Sequence, residues 1–226
     1  MNPRFGTASL AVLVSAILFS AALAPLDPAL SAAARALPPS LVAASAAITD
    51  FGTFSWMIYG SALVAVLGLA VSRLATDPVL AVRATRVMRL AVYFLLSTGA
   101  ASALVHLLKA LVGRARPELI AELGAYSLTP LTGDVLFESF PSGHSAAAGA
   151  FFGAMALLLP RYAVLFLLGA LTIGVTRVVV GAHYPSDVAA GLHLGGWAAL
   201  AAATLLARAG WLFRLDGGVR PRPRET

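Results

Sequence analysis

The sequence predicts an all-α integral membrane protein, a bundle of six transmembrane helices, and three observations lead to this fold class. Of the 226 residues, 59% are hydrophobic and 12% are charged, about half the charged share of a soluble domain. Six apolar stretches are long enough, or nearly so, to cross a bilayer. The basic residues are unevenly divided between the two sides that these stretches define. The length suits a single integral membrane domain, residues 1–226.

The six apolar stretches follow one another without an internal repeat or a long linker. Four of them approach or reach the roughly 20 residues that a span requires. The fourth and fifth are shorter, and Pro160-Arg161 between them indicates a tight turn between two helices. In chain order the stretches cover residues 7–24, 51–72, 87–108, 145–159, 162–175 and 188–207.

The first stretch has an alternative interpretation as a secretory signal. Arg4 precedes it, and it ends in small residues at Ala22 and Ala24 that resemble a cleavage site. Pro25 would directly follow the cut, a position that disfavours cleavage. We therefore expect an uncleaved first span, and the topology of the remaining chain is the same in either case.

Three connections separate the spans. Residues 26–50 contain three prolines and suit one or two short helices lying in the outer membrane interface. Residues 77–86 are expected to form a cytoplasmic loop. Residues 117–140 are the longest outer connection and mix acidic with apolar side chains, so they are a loop by default and a lid as the alternative.

The basic residues predict the orientation. Eleven of the 16 Lys and Arg residues fall on the side of both termini, and five fall on the opposite side. Because basic residues concentrate in the cytoplasm, both termini are expected there, in a multi-pass protein of the inner (plasma) membrane. The net charge of +6 is then a topology signal and not a sign of nucleic-acid binding. Residues 208–226 are predicted to be a cytoplasmic basic tail, partly disordered.

Four of the five outer basic residues lie at the ends of spans. Lys109 and Arg116 are seven residues apart, close to two helical turns, so they are expected to share a helix face. Arg177 lies among valines near the outer end of the fifth span. Charges at this depth are costly and therefore suggest a functional site. For Arg114 we expect snorkelling towards water instead.

A helix start lies on the same side. Pro141, Ser142 and Gly143 are residue types that begin a helix, with Ser142 as the possible N-cap, and His144 follows them. The N-terminus of a helix presents unpaired N–H groups and the positive end of the helix dipole, which suit an anion. His144 is placed to exchange a proton with that anion.

A second histidine and an acid follow Arg177. His183 should lie in a turn, because Pro185 prevents a continuous helix, and Asp187 should lie in the first turn of the sixth span. Asp187 could be a simple helix cap. Alternatively its carboxylate accepts the imidazole N–H of His183 and leaves the other ring nitrogen free to attack.

Together these residues predict an oxyanion site at the outer membrane–water interface. Three cations, two imidazoles, a carboxylate and a helix N-terminus converge there, and phosphate is the anion that fits them best. No cluster of metal ligands is evident, so we expect no metal and no cofactor, with the cations supplying the electrostatic stabilisation. His106 and His193 are expected to have packing roles.

Three motifs in order make the chain resemble the type-2 phosphatidic-acid phosphatase family. They are KALVGRARP (109–117), PSGH (141–144) and TRVVVGAHYPSD (176–187), and Thr176 stands where the family usually has serine. The resemblance covers about residues 87–207, the expected phosphatase core. It implies His183 as the nucleophile that forms a phosphohistidine, Asp187 as its orienting group and His144 as acid and base. It also implies a phosphate-binding set, namely Lys109, Arg116, Ser142, Gly143 and Arg177.

The expected activity is metal-independent hydrolysis of a lipid phosphate in the bilayer. The short fourth and fifth spans place the site at the depth of lipid headgroups, so an isoprenyl diphosphate, phosphatidic acid or phosphatidylglycerophosphate is the expected class of substrate. A lipid phosphotransferase with the same intermediate is the main alternative. A vanadate-dependent haloperoxidase and a non-enzymatic membrane protein are weaker ones.

Overall fold

The computed structural model describes residues 3–215 and 221–224 and is almost entirely helical. The long helices begin and end at residues that the following list gives in chain order. They are α1 (Pro3–Leu23), α2 (Asp27–Arg35), α3 (Pro39–Thr49), α4 (Phe54–Leu74), α5 (Pro78–Val112), α6 (Ile120–Leu123), α7 (Gly143–Leu158), α8 (Ala163–Val179) and α9 (Pro185–Arg208). Short 3-10 turns join several of them, at Ala24–Leu26, Asp50–Gly52, Pro117–Leu119, Val135–Phe137 and Pro160–Tyr162.

The all-α membrane bundle expected from the sequence is confirmed. Within the described residues, five helical segments are long and apolar enough to cross a membrane, namely Gly6–Arg35, Pro39–Leu74, Pro78–Val112, Pro160–Val179 and Pro185–Arg208. The sixth apolar helix is α7, which has 16 residues. Large apolar side chains such as Leu10, Ile17 and Val164 are well exposed, as expected for helices that face lipid.

The segment expected to be a loop at residues 77–86 is instead the beginning of α5. The Asp77 carboxylate accepts hydrogen bonds from the backbone N–H groups of Val79 and Leu80, and Pro78 occupies the first helical position. This N-cap and proline are favourable for a helix start, and the arginines that follow are good helix formers. At 1.5 Å per residue the 35 residues of α5 span about 52 Å, which exceeds the hydrocarbon core of about 30 Å.

The centre of the bundle is a close contact between α7 and α9, built from small residues. Buried alanines line the contacting faces of both helices. A Cβ atom added at Gly149, Gly191 or Gly195 would collide with the backbone of the facing helix. The glycines therefore let the two backbones approach closely, as in other membrane helix pairs. This contact fixes the start of α7 against the start of α9.

The chain after α9 packs under the bundle. Phe213–Arg214 (β1) and Arg222–Pro223 (β2) form a short antiparallel pair, and the Phe213 side chain is fully buried against Tyr93. The basic tail expected over residues 208–226 is thus ordered where it is described. The remainder of that expectation falls on residues 216–220 and 225–226, which lie outside the described residues.

Candidate functional site

Four helix ends meet at one end of the bundle. The last turn of α5 contributes Lys109, the start of α7 contributes His144, the last turn of α8 contributes Arg177, and the first turn of α9 contributes Asp187. The short segment between α8 and α9 contributes His183. Residues that are as many as 78 positions apart in the chain thus lie at one face of the protein.

The start of α7 is held by Ser142, as the sequence predicts. Its hydroxyl accepts hydrogen bonds from the backbone N–H and the hydroxyl of Ser145, at 3.4 and 2.9 Å. The backbone N–H of Ser142 donates to the backbone carbonyl of Asp187 at 3.1 Å. Gly143 is the first residue of the helix and His144 the second. The N-terminus of α7 is therefore directed into the site and fixed to α9.

The three predicted cations also lie at this end. Lys109 is buried and contacts the carboxylate of Glu138, with 3.5 Å between Nζ and Oε2. Arg116 donates from Nε to the carbonyl of Val135 at 2.9 Å. Arg177 is buried and donates to the hydroxyl of Thr49 at 3.1 Å. The charges of all three act on His144, so they are near enough to it to interact electrostatically.

The reason given for pairing Lys109 with Arg116 was wrong, although both residues reach the site. α5 ends at Val112, and Gly113 follows with a φ of +61°, in the left-handed region that favours glycine. A Cβ atom at Gly113 would also collide with the carbonyl of Thr129. Arg116 is therefore on a separate segment after the helix and does not share a face of α5 with Lys109.

His183 is held in a single orientation by a backbone carbonyl. It is 2% exposed, and its Nδ1 lies 2.8 Å from the carbonyl oxygen of Ser139. Because a carbonyl oxygen accepts a proton and never donates one, Nδ1 carries the hydrogen and Nε2 is the unprotonated nitrogen of the neutral ring. Burial lowers the pKa of His183 to about 4, against the opposing effect of Asp187. The ring is therefore neutral at physiological pH.

Asp187 supports His183 in a different way from the one expected. Its Oδ2 lies 3.7 Å from Nδ1 of His183, and the imidazole N–H is directed to Ser139 instead. Oδ2 accepts hydrogen bonds from the Ser139 hydroxyl at 2.6 Å and from the Tyr184 backbone N–H at 2.9 Å. Asp187 thus fixes the two residues that hold and precede the histidine. The hydroxyl of Ser139 and its carbonyl have separate partners, which the sequence gave no reason to expect.

The expectation that Arg114 snorkels towards water was wrong. Arg114 is buried, and its NH1 donates to Oδ1 of Asp187 at 2.6 Å and to the Ser186 hydroxyl at 2.7 Å. Its NH2 donates to Oδ2 of Asp27 at 2.8 Å, and the carbonyl of Ala125 accepts its remaining two bonds. Although burial alone lowers the pKa of Arg114, the charges of Asp187 and Asp27 raise it above its ordinary value.

Asp27 is a second residue that sequence reasoning missed. Its carboxylate is fully buried at the start of α2 and accepts hydrogen bonds from the backbone N–H and the hydroxyl of Ser186, at 3.0 and 2.5 Å. The ion pairs therefore run from Asp27 through Arg114 to Asp187. We call these three residues the buried ion network. The pairing of an acid with the arginine two positions before the predicted Arg116 has no local sequence signal.

The other two histidines lie apart from these contacts. His193 accepts or donates within its own helix, with 2.8 Å between Nδ1 and the carbonyl of Ala189, and its ring packs on Phe19. His106 is exposed on α5. Across residues 3–215 and 221–224, no group of three or more His, Cys, Asp or Glu side chains is placed to hold a metal ion.

Comparison with known proteins adds a family and a fold. The model of the PAP2 superfamily matches residues 90–211. Lipid A 1-phosphatases from Rhizobium etli and Rhizobium johnstonii are 46% and 45% identical to this chain over 168 residues. Those residues make up 74% of this chain, 72% of the first relative and 69% of the second.

Two solved structures share the fold. The crystal structure of a transmembrane PAP2 type phosphatidylglycerolphosphate phosphatase from Bacillus subtilis has a TM-score of 0.61 at 23% identity, and the match covers 88% of this chain and 96% of that one. The crystal structure of Aquifex aeolicus LpxE has a TM-score of 0.52 at 21% identity, with 75% and 89% covered. At these identities the likeness concerns the fold alone.

Proposed function

This chain belongs to the PAP2 superfamily and is a membrane phosphatase of that type, and we propose that it removes the 1-phosphate of lipid A through a phosphohistidine intermediate. The two Rhizobium relatives support the choice of lipid A. The three lipid classes expected from the sequence did not include it, and they remain the comparison substrates.

One observation carries the mechanism, namely the hydrogen bond between Nδ1 of His183 and the carbonyl of Ser139. It leaves Nε2 with a free lone pair in a ring that is buried and neutral. Arg116 and Arg177 act electrostatically on the same ring, so an anion bound to these arginines would lie near Nε2. A fixed, unprotonated nitrogen beside an anion site is what a nucleophile for phosphoryl transfer requires.

The first step forms a bond from Nε2 of His183 to phosphorus and breaks the bond from phosphorus to the oxygen of the lipid. His144 protonates that departing oxygen. In the second step water attacks the phosphohistidine, His144 accepts the proton of the water, and the P–N bond breaks to release inorganic phosphate. Acid–base help of this kind typically contributes about 10²–10⁴-fold.

The phosphate-binding residues stabilise the charge of the transferring phosphoryl group. Lys109, Arg116 and Arg177 offset the charge on its equatorial oxygens, and the backbone N–H groups at Ser142 and Gly143 add the helix N-terminus. Loss of one such donor typically costs about 3 kcal/mol of transition-state stabilisation. We expect no metal requirement, because these groups supply the electrostatic stabilisation themselves.

The active site is proposed to face the extracytoplasmic side of the inner membrane. The unequal division of basic residues between the two ends of the bundle supports this orientation. The chain has no native cysteine, so single cysteines can report it. In intact cells a membrane-impermeant maleimide should label Glu122→Cys, near the site, and should not label Arg73→Cys until the cells are opened. The reverse labelling pattern would overturn the orientation.

The function is tested by phosphate release from a panel of lipids in detergent with EDTA present. The panel contains lipid A, phosphatidic acid, phosphatidylglycerophosphate and an isoprenyl diphosphate. We expect lipid A to be the best substrate and mass spectrometry to locate the loss at the 1-phosphate. His183→Ala should abolish release and also the trapping of acid-labile phosphate on the protein, whereas the control His193→Gln should retain both.

Each part of the proposal has its own contrary result. Preference for another lipid would replace lipid A and leave the mechanism in place. Full activity of His183→Ala would overturn the phosphohistidine, and inhibition by EDTA would overturn metal independence. Transfer of the phosphate to a second lipid, with none released to water, would identify a phosphotransferase.

A further inference from the structure

The end of the bundle opposite to the active site contains a cavity of about 990 Å³. The first turns of α5, the last turn of α7 and the segment after α9 form its walls. Arg86 lines it, and Lys109 of the active site lies 23 residues later on the same helix. At 1.5 Å per residue the two positions are about 35 Å apart, close to the thickness of the hydrocarbon core. The cavity therefore lies at the other membrane boundary.

The polar part of this cavity is basic. Arg83, Arg86 and Arg89 reach it from α5, and Arg224 reaches it from β2's end. No Asp or Glu occurs among the described residues that line it. Arg83 and Arg86 are exposed, so the cavity is accessible from water. The guanidinium of Arg89 lies 5.3 Å from the centre of the Trp211 ring, and its buried Nε has no hydrogen-bond partner.

The deeper part of the cavity is apolar. Leu90 and Phe94 follow the arginines along α5, and Met155 and Leu158 face them from α7. Phe94 lies eight residues beyond Arg86, about 12 Å further into the bilayer at 1.5 Å per residue. The lining thus changes from charged to apolar along the membrane normal. A ligand that matches it has an anionic group at the surface and an apolar chain below.

We infer that this cavity binds one anionic phospholipid from the leaflet at that end, with the phosphate on the arginines and the first acyl carbons against Leu90 and Phe94. Guanidinium groups bind phosphate oxygens bidentately, which suits a headgroup held by several arginines. A cavity of about 990 Å³ is much larger than free phosphate requires, and its apolar wall would gain nothing from that ion. The accumulation of basic residues at a cytoplasmic face accounts for their presence at this end but not for their convergence on one cavity.

The test is native mass spectrometry of the full-length, delipidated protein in detergent. Phosphatidylglycerol and phosphatidylcholine with the same acyl chains are titrated separately, and inorganic phosphate is added as a competitor. The variant is Arg83→Gln/Arg86→Gln. The matched control is Arg73→Gln/Arg161→Gln, which removes two arginines from the same end without touching the cavity. Phosphate release by each variant reports that it is folded, because all four residues lie far from the active site.

We expect one phosphatidylglycerol to bind in preference to phosphatidylcholine. Because each surface arginine contributes roughly fivefold to binding of anionic lipid, the cavity variant should bind it on the order of 10- to 30-fold more weakly. The control should bind it as wild type does. Equal binding of phosphatidylcholine, displacement by millimolar phosphate, or an equal loss in the control would each overturn the inference.

Discussion

Arg114 offers a test of the link between the buried ion network and catalysis. Arg114→Met keeps the length of the side chain and removes the cation between Asp27 and Asp187, both of which are 0% exposed. Two buried carboxylates then remain without their shared partner. Because Asp187 also holds Ser139 and the backbone of Tyr184, this loss should reach His183 as well as the fold.

The magnitude follows from the contacts of the guanidinium. Its five N–H donors are all used, on Asp187, Ser186, Asp27 and the carbonyl of Ala125. Removing one partner of a buried ion pair typically costs about 3–5 kcal/mol. For a chain of this size that loss corresponds to a fall in Tm of roughly 6–20 °C. Arg114→Lys keeps the charge but has three donors, so an intermediate loss is expected.

The assay combines tryptophan fluorescence during heating in detergent with steady-state phosphate release. We expect kcat to fall more than KM changes, because the network positions the nucleophile and does not contact the substrate. Adding Asp27→Asn to Arg114→Met should restore part of the lost Tm, since one unpaired carboxylate is removed. Arg35→Met, at an exposed arginine of α2, is the control. Wild-type Tm and kcat in Arg114→Met would refute the role of the network.

Three further predictions concern helix packing, phosphate binding and the nucleophile. Gly195→Ala should lower both Tm and activity, because its Cβ atom would collide with the backbone of α7. Arg177→Ala should lower kcat/KM by about 10²–10³-fold, and Thr49→Ala, which removes one hydrogen bond to that arginine, by about tenfold or less. Nitrogen-15 NMR of the resting enzyme should show His183 as the Nδ1–H tautomer with a pKa of about 4, because burial disfavours its charged form. The unfolded chain takes up this proton near pH 6.5 and the folded chain near 4, so the stability present above 6.5 should be lost as the pH falls towards 4.

Each of these has a control or a contrary outcome. Gly196→Ala should be neutral, since no atom lies within 4 Å of its added Cβ, and equal effects of the two alanines would contradict the packing explanation. A Thr49→Ala variant as inactive as Arg177→Ala would mean that the hydroxyl has a role beyond holding the arginine. A His183 resonance that titrates near its ordinary pKa of 6.5, or a Nε2–H tautomer, would contradict the proposed nucleophile.

The sequence was a good guide wherever the signal was local. The N-cap at Ser142 and the proline after His183 depend on neighbours within a few residues, and the structure has both where they were expected. The start of α5 was missed for a correctable reason, because Asp77-Pro78 is itself a helix-start signal that the polar arginines obscured. The pairing of Lys109 with Arg116 was expected for the wrong reason, since Gly113 ends the helix between them.

The sequence by itself determined the membrane class, the family motifs and the residue types of the site, because hydropathy and short spacings are properties of the chain alone. Only the tertiary structure decided what holds those residues in place. Arg114 lies 87 residues from Asp27 and 73 from Asp187, and Ser139 lies 44 residues from His183. Such partners are chosen by the packing of α2, α7 and α9, which buries donors and acceptors together and leaves each with no other group to satisfy it.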